Sequence, residues 1–340
     1  MSIRSLYFDG KRLELLDVRG LPERQVFQSF ESVSTVAQAI RDMVIIGPTI
    51  VAAAAAYALM MEAQRLCNSP FSSFYYAIEQ AFLSLRSARP ACKSLMMMLD
   101  RMHILYDQAV EQKKTPSELL EMFTISTEHF VKTTVEADAH LAKRGAELIK
   151  DGFTILTTGG TGLLSSVGVG SAMAIIREAA RQGKSLEVYC TMSRPLQLGR
   201  RMSEPELASD NIANRVISDA GIAYVLNNYP ISCVLIGANA VAANGDVIAS
   251  AGSSMAAMVA KRLGIDVYVA VQDTVVDLQC ESGNKVPLEE IQHYLDPDEA
   301  PIMAPLFDST PADCVTAYIT KYGVFRPKDG ALNQILQGLI

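Results

Sequence analysis

No two of the six cysteines stand at CxxC spacing, and no two of the four histidines lie within four residues of one another. That spacing offers no zinc-ligand pair and no disulfide framework. Several cysteines fall inside apolar runs, as in Tyr189-Cys190 and Cys233-Val234, so they read as small buried hydrophobes of a reduced, cytoplasmic protein. Basic residues never run longer than a pair, and the net charge is −7. This excludes a general affinity for nucleic acid or for an anionic membrane. The first residues lack the apolar stretch of a signal peptide. No glycine-rich loop carries the Lys-Ser/Thr of a P-loop or GxGxxG spacing, so no cofactor is expected. There is no repeat, and no low-complexity tract beyond the run Ala52 to Ala56.

What is present is apolar: hydrophobic residues make up 49% of the 340, and charged residues 20%. Such a chain buries a sizeable core and has room for one large α/β domain with a smaller helical one. The segment Met43 to Met61 is apolar enough to resemble a membrane span. Its alanines contribute little to insertion and no second span follows, so a buried, tightly packed helix is the better reading.

Leu6 to Leu16 predicts a hairpin turning at Asp9-Gly10. From Ser34 to about Ala88 the pattern is helical, with Ser34 as N-cap ahead of Val36, Ile40 and Val44, and Pro48 opening a second helix. A further helix is expected from Pro90, carrying Leu95, Met98, Leu99 and Met102. Met96-Met97-Met98 reads as core or interface. Thr115-Pro116-Ser117-Glu118 opens a long helical region to Lys150. Residues 1 to about 130 therefore form an N-terminal helical domain with a small strand cap, and 131–340 an α/β domain.

From Gly152 the period changes. Strands are expected at 153–157, 186–190, 233–236 and 267–270, and helices at 166–181 and 254–263, stopped by Gly183 and Gly264. A last helix is expected after Thr310-Pro311-Ala312-Asp313. Strands alternating with helices predict a mainly parallel, Rossmann-like sheet, whose ligands bind beyond the carboxyl ends of its strands.

Two of those ends carry Thr158-Gly159-Gly160-Thr161-Gly162 and Gly237-Ala238-Asn239-Ala240, with no thiol, imidazole or carboxylate at either tip. Gly160, Thr161 and Gly162 could cradle an anion before a helix N-terminus, or simply make a tight turn. Ser193-Arg194-Pro195 offers a guanidinium to a phosphate, or is a surface arginine before a turn. Asp246, in Asn244-Gly245-Asp246, could exchange protons or cap its turn. Asp273 and Asp277 carry the same two readings. Arg89-Pro90 holds either a phosphate ligand or an ion pair between domains.

Taken in order, Arg41-Asp42-Met43-Val44, Arg89-Pro90, Leu99-Asp100-Arg101-Met102, Ser193-Arg194-Pro195, Gly237-Ala238, Ala243-Asn244-Gly245-Asp246, Phe307-Asp308-Ser309-Thr310-Pro311 and Arg326-Pro327 resemble the methylthioribose-1-phosphate isomerase family. That family is related to ribose-1,5-bisphosphate isomerase and to the regulatory subunits of translation initiation factor 2B. The resemblance spans nearly the whole chain. It implies a helical domain, a Rossmann-like domain, a homodimer and a phosphorylated small-molecule ligand. The family interconverts a phosphorylated aldose and ketose with a cysteine after the first sheet strand and an aspartate after Gly-Ala. Those positions are Gly159 and Asn239 here. Glycine has no side chain, and an amide does not titrate usefully.

The ligand positions implied by the resemblance differ too. Ile46 stands for an arginine, Ala249-Ser250 for an Asn-Lys pair and Ser94 for an asparagine, while Gln197 lies one place from a glutamine. Arg89 survives. The expectation is a catalytically silent relative with a binding or regulatory role. One alternative is an active isomerase using Asp246, Asp219 or Asp273 with Cys190. Another is a nucleotide or sugar-phosphate sensor like the initiation-factor subunits.

Overall fold

The computed structural model describes residues 5–286, 288, 290–293 and 302–327. The chain divides into two compact units: one of residues 1–136 with 163–168, the other of 137–162 with the remainder from Val169.

The first unit opens with three antiparallel strands, β1 (Leu6–Phe8), β2 (Leu13–Leu16) and β3 (Phe27–Phe30). Gly10, at φ +94°, supplies the expected turn between β1 and β2. Four helices follow: α1 (Val33–Arg41), α2 (Pro48–Arg65), α3 (Phe71–Arg86) and α4 (Lys93–Glu111). The long α5 (Pro116–Leu148) begins here and continues into the second unit. A capping box starts α5: the Thr115 N–H donates to Glu118 Oε2 at 2.7 Å, and the Glu118 N–H to Thr115 Oγ1 at 3.3 Å.

Helix α2 is the centre of this unit. Ala52 to Ala56 are all fully buried, because side chains of one carbon let neighbouring helices approach on every side. No helix among the described residues is long and apolar enough to cross a membrane. Met98 lies in the same core, with Met96 and Met97 packed against it.

Two expected starts move. Ser32, not Ser34, caps α1, its hydroxyl accepting from the Thr35 N–H at 3.3 Å. Helix α4 begins at Lys93 rather than Pro90, because the Cys92 N–H closes a turn onto the Arg89 carbonyl at 3.1 Å before the helix starts.

The second unit is built on a seven-stranded sheet. In chain order its elements are β4 (Thr154–Thr157), α6 (Ala172–Arg181), β5 (Glu187–Thr191), α7 (Glu204–Ser209), β6 (Ala213–Ile217), α8 (Ile222–Asn228), β7 (Cys233–Gly237), β8 (Ala240–Ala242), β9 (Val247–Ser250), α9 (Ser253–Leu263), β10 (Asp266–Ala270), β11 (Val276–Asp277), β12 (Glu290–His293), β13 (Ile302–Pro305), β14 (Phe307–Thr310), β15 (Ala317–Ile319) and β16 (Val324–Phe325). The large sheet runs β16-β15-β10-β7-β4-β5-β6, parallel except for β16. Alternate residues feed two cores. Leu156, Val234, Ile236, Val267 and Val269 pack with α8 and α9, while Ile155, Val188, Cys190, Cys233 and Leu235 pack with α6 and the end of α5. Both faces are covered, as a parallel sheet requires. A smaller sheet, β11-β8-β9-β14, and the β12–β13 hairpin complete the unit.

Two helix expectations fail here. The stretch from Ser166 to Ser171 is not helical, and α6 starts only at Ala172. Gly170 stands at φ +91°, and a Cβ there would overlap the Thr161 carbonyl oxygen, so the chain folds back on the β4 loop before turning. After Thr310 no helix forms. Thr310 ends β14 with its hydroxyl buried and unpartnered, and Ala312–Cys314 makes a single 3-10 turn whose Ala312 N–H goes to Asp246 at 3.0 Å. Val315 and Thr316 then favour the strand β15.

A Cβ at Gly47, the residue before α2, would overlap the backbone carbonyl of Ser165. Backbone gives way less easily than a side chain. Gly47→Ala is therefore expected to destabilise by about 1–3 kcal/mol, read as a lower urea midpoint with an unchanged m-value.

Candidate functional site

The loops at the carboxyl ends of β4, β5 and β9 form one hydrogen-bonded group in the second unit. Gly159 is at its centre. The Gly159 N–H donates to Ser193 Oγ at 2.8 Å, and Ser203 Oγ donates to the Gly159 carbonyl at 2.7 Å. Ser193 Oγ in turn lies 2.8 Å from Thr191 Oγ1. Thr158 Oγ1 lies 2.6 Å from Ser253 Oγ at the start of α9.

The backbone of Gly159 is at φ +72°, a region that L side chains rarely adopt. A Cβ built there would overlap Ser250 Oγ and stand 3.0 Å from Ser250 Cβ. The two residues that the resemblance assigned to a catalytic cysteine and a ligand lysine are thus in register with each other. The small side chain at 250 fills the place that a side chain at 159 would need.

The rest of the β4 loop is committed internally. Thr161 Oγ1 accepts from the Met173 N–H at 3.2 Å and so caps α6, while the Thr161 carbonyl accepts from the Ser171 N–H at 2.8 Å. Gly160 faces Met202, whose Sδ would be 2.8 Å from an added Cβ. Gly162 faces the carboxylate of Glu206, which an added Cβ would overlap, and Glu206 is buried. A carboxylate against the loop opposes a second anion at Gly162. Asn239 is half-buried, with its N–H donating to the Ile248 carbonyl at 2.8 Å.

The other expected residues are placed as follows. Arg89 lies in the first unit, in the turn between α3 and α4, buried, with one guanidinium nitrogen donating to the Ile46 carbonyl at 2.7 Å. Arg194 is exposed and lines a cavity whose walls include none of the β4 loop. Gln197 is half-buried at φ +56°. Asp246 accepts from the Gly283 N–H and the Ala312 N–H, each at 3.0 Å, and from the Asn244 amide at 2.8 Å, which ties three loops together. Asp219 accepts from the Ser193 N–H at 2.8 Å and the Arg194 N–H at 3.0 Å. Asp273 pairs with Lys321. Cys190 is buried in the sheet, and burial pushes its thiol up to about 12. It is not poised as a thiolate. No group of three metal-ligating side chains occurs among the described residues.

One carboxyl escaped the sequence reading. Asp308, on β14, is one register position from the residue paired with Ser250, and it accepts from the Gly252 N–H at 2.7 Å and the Ser254 N–H at 3.1 Å. It caps α9 from another strand, a role that no spacing along the chain signals. Burial pushes its carboxyl up to about 6, against the pull of those two N–H groups.

The family model described as the initiation factor 2 subunit family matches residues 45–327. The chain belongs to that family. Methylthioribose-1-phosphate isomerase of Thermosipho africanus is 33% identical to it over 332 residues, 95% of each chain. The crystal structure of 5-methylthioribose 1-phosphate isomerase from Pyrococcus horikoshii matches with a TM-score of 0.87 at 26% identity, covering 98% of this chain and 96% of that one. Translation initiation factor eIF-2B, subunit delta, from A. fulgidus matches with a TM-score of 0.82 at 28% identity, covering 99% and 100%. Within the initiation factor 2 subunit family, then, this chain is similar both to proteins named as isomerases and to one named as a translation factor subunit.

Two outcomes follow for the site. Gly159→Cys is expected to cost about 1–3 kcal/mol from backbone strain and overlap. Gly159→Cys with Ser250→Gly should recover only the overlap part, as measured by thermal melts. For Asp308, the folded-state pKa lies above the ordinary 3.8, so the folded protein holds the proton more tightly. The resulting stability is complete below the ordinary value and is lost as pH rises through about 6. Asp308→Asn should remove a pH dependence worth roughly 3 kcal/mol at most between those limits, compared as slopes of unfolding free energy against pH.

Proposed function

We propose that this protein is a non-catalytic member of the initiation factor 2 subunit family, acting as a cytoplasmic, homodimeric binding or regulatory protein. The observation that carries this reading is the pairing of Gly159 with Ser250. A thiol is missing, the backbone at 159 stands at a φ that side chains rarely adopt, and a side chain there would require Ser250 to turn away. Asn239 supports the same reading, because a carboxamide hydrogen-bonds but neither gives nor takes a proton near neutral pH. Moving hydrogen between adjacent carbons of a sugar requires groups that do both.

The carboxylates and thiol that could substitute are engaged elsewhere. Asp246 and Asp219 hold backbone N–H groups, Asp273 is ion-paired, and Cys190 is held as a thiol. A phosphorylated sugar bound without turnover is the ligand class consistent with the isomerases' names.

Asp308 favours a second reading, turnover of a phosphorylated sugar by other groups. Its carboxyl ionises at about 6, the range in which a side chain exchanges protons most usefully.

The test is direct. Purified protein incubated with methylthioribose 1-phosphate should give no ketose product. Turnover of about 1 per second or faster, at the low end of ordinary enzyme rates, would overturn the non-catalytic reading. Loss of that turnover in Asp308→Asn would establish the second.

A further inference from the structure

A cavity of about 310 Å³ opens on the second unit beside the residues that hold the β4 loop, though none of that loop lines it, and its walls include Arg194, Asp219, Met255, Met303, Ala304 and Pro305. Its size is at the low end of small-molecule pockets, too small for a nucleotide with its phosphates. Two residues of opposite charge line it, with no ion pair between them among the described residues. The Arg194 guanidinium makes no hydrogen bond or ion pair among the described residues; only its backbone N–H is used. Each Asp219 oxygen accepts one backbone N–H, from Ser193 or Arg194. A carboxylate oxygen has two acceptor positions, so each retains one.

The remaining wall is apolar. Met303 is 83% exposed and Met255 36% exposed, two thioethers on the same wall as the two charged residues. Methionine adapts its shape to irregular apolar partners.

A simple anion does not match this lining, because Asp219 would repel it. A cation is opposed equally by Arg194. The complement is a molecule carrying both charges on neighbouring atoms, with an apolar branch. We propose that this cavity binds a free apolar α-amino acid. Its carboxylate lies on the Arg194 guanidinium, which is planar and suited to two parallel N–H···O bonds. Its ammonium donates to the open positions of Asp219. Its side chain packs on Met255, Met303, Ala304 and Pro305. The site adds a ligand to the proposed function and does not depend on whether the Gly159 loop is silent.

The experiment is calorimetric titration of the full chain with L-leucine, L-methionine and L-phenylalanine. Leucinamide, which lacks the carboxylate, and N-acetyl-leucine, which lacks the ammonium, are run beside them. At least one free amino acid should bind, and each blocked form should bind about tenfold or more weakly. Arg194→Gln and Met303→Glu change exposed side chains and should each weaken binding by a similar factor while melting like the parent. Asp219→Asn tests the ammonium contact, and its melt shows whether the Ser193-Arg194 turn survives. No heat from any amino acid at about 10 mM, well above a millimolar dissociation constant, would overturn the proposal. So would N-acetyl-leucine binding as tightly as leucine, or full binding in both Arg194→Gln and Met303→Glu. Turnover of a sugar phosphate, measured separately, bears on the Gly159 loop alone.

Discussion

The second unit depends on a small network of hydroxyls that stands in for water at the carboxyl ends of its parallel strands. Ser193, Ser203, Thr158 and Ser253 meet the backbone and hydroxyl groups of the β4 loop at 2.6–2.8 Å. A loop that turns sharply out of a buried strand leaves N–H and C=O groups with no ladder partner. Each must be satisfied locally, since an unmet buried group costs on the order of 1–3 kcal/mol. Short hydroxyl side chains reach those groups from neighbouring loops. In doing so they fix how closely β4, β5 and the start of α9 can approach.

That close approach leaves little room around the loop. A Cβ at Gly159 would overlap Ser250 Oγ unless that side chain turned away, and Gly162 sits against the buried Glu206 carboxylate. The Thr158 and Thr161 hydroxyls and the Gly159 backbone are bonded within the protein itself. The carboxylates nearby follow the same pattern. Asp246, Asp219 and Asp308 each bind two backbone N–H groups and join segments that are distant along the chain. In this unit these carboxylates hold loops together.

Much of this could be read in the residues. The change of period at Gly152 marked the sheet, and β4, β5, β7 and β10 fall within a residue or two of their expected spans because short, near-continuous apolar runs report burial of both faces. Pro48 and the Thr115 capping box located two helix starts, since both act through atoms adjacent in sequence. Failures arose where a distant atom outbid a local signal. Thr310-Pro311-Ala312-Asp313 has the pattern of a helix start, yet Asp246 takes the Ala312 N–H and the chain returns to the sheet. The stretch before α6 has helical spacing, but Thr161 and Gly170 hold it folded back on the β4 loop.

The sequence by itself determined the family, the order of strands and helices, and the absence of a thiol and an acid at positions 159 and 239, because these reside in residue identity and short-range period. Only the tertiary structure decided that Ser250 lies against Gly159, that Asp308 caps α9 with its carboxyl pushed up to about 6, and that Arg194 and Asp219 line one cavity. Those facts depend on which strands become neighbours. Pairing β14 with β9 brings residues about sixty positions apart into contact, and no local pattern in the chain carries that information.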